Sequence, residues 1–562
     1  FIQIVTIYLG TIFTGNEVFM PQQSLVDFVK ALEKAGMLVR IKEEKRVDEL
    51  PKVMEDNPLK AVLVEKIKDC EFQFLANAYS NQDQYAWAMN CKKTETGFKI
   101  AAAAKGRVKP NIVKTAPCKE VILLGDAVDL TKLPLFLHHD RDGHAYTDDN
   151  LLISKNPDTG VYDWGIYRSM FRTKNEKTFD MTCTSHRQRL HAQQAAAKGK
   201  NLEMAVVIGG PIVDKLAALQ GATDDVDDFE VLGSFYGHPA DLVKCETIDV
   251  LVPANAEIVL ECELMDVEGW IHDEGPFGEF TGMYGGGLKH NIRAVVKAMT
   301  YRKGGIYQYA TIGCSHPWYT DNMIQLPAIE ADLFHAIAQA GIDVLEVRSD
   351  CGGLSNMAYA KIRVGGAGDA KQALGIMLTG SKQGLPKLAW VFDEDVDIWN
   401  DDAIKWAMAF RYMPHRDTVM INACNTMTVD PKIADFDPPG TASKIGFDCT
   451  IPLGPGYNRD DFDRSAAVVL GDPPANVVIM DEGELTDKMT DFIKKAPRSW
   501  REILVEYHGQ PYPVIYRAFG NLRHLLGRVN KEPWFKYTFS DSNFAKAPVT
   551  TSSSNFDPRH TS

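Results

Sequence analysis

Apolar residues at Leu25, Phe28, Val29 and Leu32 recur at the spacing of one helix face, directly after Ser24, a residue type favoured at helix N-termini. The pattern predicts an amphipathic helix capped by Ser24 and ended by Gly36, with a strand over 37–41. Short apolar runs at 61–64 and 72–75 predict further strands, and the lysine-bearing stretch 96–115 reads as a polar connection. From 116 to 320 the pattern becomes one of strands between Gly, Pro and Asp turns, with runs at 151–154, 204–208, 258–264 and 294–300. Few long helical patterns interrupt them, which predicts a sheet or barrel domain, and the acidic run 224–230 reads as a solvated loop.

From 321 to 455 helix and strand alternate: a helix opened by Pro327 and running to 340, a strand at 344–347, a helix at 369–378 and a buried strand at 388–392. A helix at 402–410 and a strand at 419–422 follow, so this part is expected to be a layered α/β domain. The acids at 393–397 fit the approach to a helix N-terminus better than a metal site. Residues 514–526 carry an apolar helical face suited to a neighbouring subunit or an anionic substrate handle. Boundaries are therefore set at 1–19, 20–115, 116–320, 321–455 and 456–562.

Composition narrows the class. The 562 residues are 45% hydrophobic and carry a formal net charge of −14, which disfavours a nucleic-acid binder. Ten cysteines without a Cys-x-x-Cys pair suggest neither a zinc ribbon nor a disulfide framework, and a reducing cytoplasm fits best. The apolar stretch 1–13 has no basic segment before it and is too short to span a bilayer. Residues 1–19 read as an extension ahead of a natural start at Met20, and 550–562 as a disordered end. One local charge stands out: nine Lys/Arg against three acids between Lys494 and Lys536.

The candidate chemistry centres on 271–283, where Glu274 and Glu279 flank Gly-Pro-Phe-Gly. A helix or central strand would not tolerate that turn, and a constrained loop can hold two acids at a fixed separation for proton transfer. Asp163 and Arg168 lie five residues apart in a strand-like run and so face opposite sides. Asp163, His186 and Asp241 form a plausible set for Mn²⁺, Fe²⁺ or Mg²⁺ holding a phosphate. Gly285-Gly286-Gly287 reads as a flexible turn. His138-His139-Asp140 makes a poor metal clip, because adjacent histidines in a strand face opposite ways.

Arg168, Glu-Gly-Pro-Phe-Gly-Glu at 274–279, Leu-Val-Lys-Cys at 242–245, Asp-Glu-Asp-Val-Asp-Ile at 393–398 and Lys444 before Phe-Asp-Cys-Thr-Ile-Pro together resemble the UbiD family of reversible decarboxylases that use prenylated FMN. The resemblance runs from about Met20 to Pro452. It implies a mixed α/β fold: an N-terminal α/β segment, a split-barrel-like flavin domain and a smaller layered α/β oligomerisation domain. It also implies that Glu279 donates and accepts the proton, while Arg168 and Glu274 form a charged pair beside the reacting carboxylate. A divalent metal, Mn or Fe, would bridge the cofactor phosphate through Asp163, His186 and Asp241, with K⁺ nearby. Ser185, His186 and Lys444 would lie at the cofactor. Ser185 stands where a glutamine is common; ferulic acid decarboxylase has Asn at the place of Asp163 and Glu at that of Asp241.

Losing CO₂ from an sp² carbon requires an electron sink that no side chain supplies, so a cofactor is needed. The expected protein is a cytoplasmic homo-oligomer, dimer or hexamer, that releases CO₂ from an aromatic or α,β-unsaturated acid and receives its flavin from a separate prenyltransferase. The basic tail inclines the substrate toward an aryl-CoA thioester such as phthaloyl-CoA. The rivals are a non-catalytic UbiD-like scaffold subunit and an ordinary flavin oxidoreductase; the latter is disfavoured by the lack of a nicotinamide fingerprint.

Overall fold

The computed structural model describes residues 23–539 apart from 174–177, 182–185, 221–224, 266, 381–383, 428, 434–437, 439, 455, 458, 463 and 532–533. The expectations for 1–19 and 550–562, and the position of Ser185, lie outside the described residues. The chain divides into two compact units at Thr450 and Ile451. Among the described residues no helix is long and apolar enough to cross a membrane.

The first unit opens with the helix Leu25–Lys34, which buries Leu25, Phe28, Val29 and Leu32. Ser24 sits at its N-terminus, but its side chain does not cap; its backbone carbonyl accepts from Phe28 N at 3.0 Å. Strands Leu38–Ile41, Ala61–Val64 and Gln73–Ala76 form a small sheet that Ile306–Gln308 completes. A strand from far along the chain therefore ties the first hundred residues to the segment that follows. The expected polar connection contains the helix Thr96–Lys105, whose alanines and lysines are all strong helix formers.

The central sheet comprises β1 (Val121–Leu124), β2 (Tyr146–Lys155), β3 (Tyr162–Thr173), β4 (Thr178–Met181), β5 (Leu202–Ile208), β6 (Ile258–Leu264), β7 (His272–Glu274) and β8 (Lys289–Tyr301). Pairing runs β6–β5–β2–β3–β4–β8, and β8 pairs again with β6, so the path returns on itself. Its strands β2, β5 and β6 are buried on both faces. Leu151 and Ile153 face one apolar cluster with the helices, while Leu152, Met204 and Val206 face another. Burial on both sides explains why these strands read as continuous apolar runs rather than alternating ones.

Among the described residues three α-helices lie within this segment, His186–Ala197, Ile212–Ala218 and Asp228–Tyr236, more than its strand-rich pattern suggested. The acidic run is not simply a solvated loop. Asp227 caps the last of these helices, and buried Asp228 pairs with Arg187 at 3.1 Å.

The alternating part forms a five-stranded sheet in the order Asp343–Ser349, Met357–Arg363, Leu388–Asp393, Thr441–Cys449, Thr418–Asn425. Helices Leu326–Gln339 and Asp369–Thr379 pack one apolar cluster of this sheet, and Asp401–Phe410 packs another. The acids at 393–397 precede that last helix as expected, and Asp395 binds Arg411 at 2.6 Å. In the second unit, helix Tyr512–Leu522 buries Ile515, Ala518, Phe519 and Leu522 against Leu485, Met489 and Ile493 of helix Glu482–Lys495. The apolar face expected to serve a neighbouring subunit is thus covered within its own unit.

One buried ion pair pins the central sheet to its helices: Lys215 Nζ lies 2.9 Å from Asp149 Oδ1, with both side chains fully excluded from solvent. Removing one partner strands the other charge, so Lys215→Met is expected to cost about 3–5 kcal/mol of unfolding free energy. In urea denaturation, adding Asp149→Leu should recover most of that loss; an additive double variant would show that the pair is not coupled.

Candidate active site

Arg168 lies in the middle of β3, and β7 ends at Glu274, where the chain enters the Gly-Pro-Phe-Gly turn. The structure brings these residues together with Glu279. Arg168 Nε donates to Glu274 Oε1 at 2.9 Å, and its Nη1 donates to Glu279 Oε1 at 3.0 Å. The guanidinium carbon lies 4.5 Å from the centre of the Phe277 ring. Burial opposes the Arg168 charge, but Glu279 and Glu274 outweigh it, and the guanidinium is held even more firmly protonated than usual.

The two acids are not equivalent. Glu274 is fully buried and also accepts from Tyr146 OH at 2.9 Å. Burial first, then the Glu274 charge, pushes the Tyr146 phenol well above its ordinary range, so it stays a donor. Glu279 instead lines a cavity of about 300 Å³ with Glu55, His138, His139, Tyr284 and Cys314.

The turn is held by close backbone approach. Gly275 has φ 98°, and a Cβ there would meet the Gly287 carbonyl oxygen at 2.5 Å. A Cβ on Gly278 would lie 2.3 Å from the His139 ring. The segment 138–143 clamps the same turn: Asp142 Oδ1 accepts from Gly278 N at 2.8 Å, and Gly143 N donates to the Pro276 carbonyl at 2.8 Å. A Cβ on Gly286, within the expected glycine turn, would come 2.8 Å from Glu279 Oε1.

The expectation for His138 and His139 is corrected. This segment is not a strand, and the rings stack on the same side with centroids 4.0 Å apart. His138 Nε2 meets Cys314 Sγ at 3.0 Å. Burial, with His139 beside it, pushes the His138 imidazole well below its ordinary range and keeps it neutral. Burial also works against a charge on His139, but the Asp142 bond at 2.9 Å prevails and raises it. The residues missed in the sequence, Tyr146, Phe277, Asp142 and Cys314, meet only through strand pairing and the fold of the turn.

The remaining sequence candidates are not among the residues that line this cavity. Buried Asp163 has Arg187 Nε 3.3 Å from its Oδ1, and His186 is the first residue of helix His186–Ala197. Asp241, on the strand Asp241–Lys244, accepts from Asn111 Nδ2 at 2.8 Å. Lys444 is buried in the five-stranded sheet, where Nζ donates to the Leu378 and Gly384 carbonyls at 2.9 and 2.8 Å, and burial lowers its pKa.

Three family models match in order: the 3-octaprenyl-4-hydroxybenzoate carboxy-lyase N-terminal domain over 29–104, the Rift-related domain over 111–316 and the C-terminal domain over 322–449. A phenolic acid decarboxylase of Bacillus subtilis (strain 168) is 31% identical over 351 residues, 61% of this chain and 72% of that one. The chain belongs to the UbiD family of carboxy-lyases. A phenolic acid decarboxylase of Sedimentibacter hydroxybenzoicus is 27% identical over 503 residues, covering 85% of this chain and 99% of that one. Among solved structures, the UbiD-class enzyme HmfF from Pelotomaculum thermopropionicum in complex with FMN superposes with a TM-score of 0.72 at 29% identity. That match covers 79% of this chain and 97% of the other. An evolved dimeric form of that enzyme, in complex with prFMN, gives a TM-score of 0.70 at 28% identity over the same shares. The mixed α/β fold expected from the sequence is thus that of UbiD-class enzymes.

Tyr146→Phe removes one donor from buried Glu274 while keeping the ring packed on Phe277, 4.6 Å away. It should lower the unfolding free energy by about 1–3 kcal/mol. A chemical denaturation curve that coincides with wild type would show that the phenol does not support the carboxylate.

Proposed function

We propose that this UbiD-family chain is a reversible decarboxylase of an aromatic or α,β-unsaturated carboxylic acid, with Glu279 as proton carrier and Glu274 as the fixed partner of Arg168. The observation that carries the reading is the asymmetry of the two acids. Glu274 is closed off by Arg168 and Tyr146, whereas Glu279 faces the cavity. Arg168, charged throughout, steadies whichever carboxylate is ionised and offers its planar fork to a substrate carboxylate. Proton movement at Glu279 Oε atoms is what general acid–base catalysis needs here. A scaffold subunit would have no use for this constellation.

Prenylated FMN, when bound, supplies the electron sink that decarboxylation at an sp² carbon requires. The chain's donors suit a divalent cation that would offset the charge of its phosphate. Asp163 is buried with Arg187 against it, His186 opens a twelve-residue helix, and Asp241 presents a carboxylate beside Asn111. Oxygen and imidazole donors of this kind suit Mn²⁺ or Fe²⁺, and a helix N-terminus suits a phosphate. Lys444 fits this role less well, because its ammonium would first have to leave two backbone carbonyls.

An aromatic acid is favoured because the relatives include phenolic acid decarboxylases. The aryl-CoA version, with phthaloyl-CoA as the example, rests on the basic tail alone. There Arg517 already faces Glu482 at 2.8 Å and Lys536 faces Glu502 at 3.4 Å. Assays with free acids and their CoA thioesters separate the two.

Glu279→Gln should retain bound flavin yet lower turnover by about 10²–10⁴-fold, measured as CO₂ release and as exchange of labelled bicarbonate into substrate. Near-wild-type rates in that variant would overturn the assignment.

A further inference from the structure

The cavity lining carries a second donor set. One nitrogen each of His138 and His139 and the sulfur of Cys314 lie within 4.8 Å of one another. Around a tetrahedral zinc, bond lengths place such atoms about 3.3–3.6 Å apart, so shifts of roughly an ångström would gather them. His139 already has a carboxylate hydrogen-bonded at Nδ1, and Asp148 is the nearest acid to that of His138. Asp142 Oδ2 is 2.9 Å from that of His139, and Asp148 Oδ2 is 3.8 Å from that of His138. A carboxylate on one ring nitrogen orients the other as a metal ligand. Both Nε2 atoms face the turn 312–314, where that of His138 meets Cys314 Sγ at 3.0 Å and that of His139 meets the Ile312 carbonyl at 2.7 Å.

We propose that His138, His139 and Cys314 form a binding site for a thiophilic divalent cation of the zinc class, distinct from the carboxylate-rich set at Asp163, His186 and Asp241. Two imidazoles and a thiolate leave one tetrahedral position, which opens on the cavity that Glu279 also lines. Binding displaces the Cys314 thiol proton and the His139 Nε2 proton that faces Ile312, both to solvent, while His138 Nε2 exchanges an accepted hydrogen bond for the metal. The site owes nothing to the roles given to Glu274 and Glu279, and its test needs no turnover.

The probe is Zn²⁺ added to the full-length, flavin-loaded protein and read by zinc X-ray absorption and titration calorimetry. The expected spectrum contains one sulfur at about 2.3 Å beside nitrogen neighbours at about 2.0–2.1 Å. The set at Asp163 has no sulfur to offer, so the sulfur shell distinguishes the two sites. Cys314→Ser should abolish that shell and weaken binding at least tenfold, and His138→Gln should weaken binding similarly with the sulfur retained. Thermal melts check that each variant folds, and either variant alone suffices if the other does not. A zinc spectrum without sulfur in the wild type, or an unchanged sulfur shell in Cys314→Ser, would overturn the proposal.

Discussion

A buried guanidinium shared by two carboxylates is the interaction on which this site depends. Without Arg168, Glu274 would be an anion fully excluded from water and deprived of its guanidinium partner, and Glu279 would add a like charge across the same turn. Such an arrangement is unfavourable unless charge is matched and each lone pair finds a donor. Arg168 supplies both, and the Phe277 ring fixes its plane from below. The pairing also requires that β3 and β7 deliver their side chains to the same place, so the succession β3–β4–β8–β7 in the central sheet is a condition for the chemistry.

The turn between the acids is rigid for steric reasons. Gly275 and Gly278 stand where a single added carbon would strike the Gly287 carbonyl or the His139 ring. The clamp from 138–143 contributes two hydrogen bonds to it. Geometry held by close contacts with neighbouring backbone segments is tighter than a free loop would give, which proton transfer at a defined carbon demands.

Much of this was legible in the chain. Periodicity located the helix at Leu25, the buried strands of the central sheet and the alternating sheet after Pro327, because each buries a simple apolar face. The Glu-Gly-Pro-Phe-Gly-Glu turn was visible because its residue types exclude regular structure. Tyr146, Asp142 and Cys314 were not visible as a group, because they converge on the turn from separate segments. His138 and His139 were misjudged because a strand geometry was assumed for a segment that bends around Gly278. Helix Thr96–Lys105 was missed because its lysines were weighed as polarity and its alanines were not weighed as propensity.

The central claim is that the two glutamates divide their labour, Glu274 holding Arg168 and Glu279 serving the substrate. A crystal structure of the flavin-loaded protein with a bound substrate analogue tests it most directly. The account predicts Glu279 Oε within hydrogen-bond reach of the carbon that carries the departing carboxylate, with Glu274 still on Arg168 Nε and Tyr146 OH. A structure in which Glu274 turns to that carbon while Glu279 stays against Arg168 would contradict it.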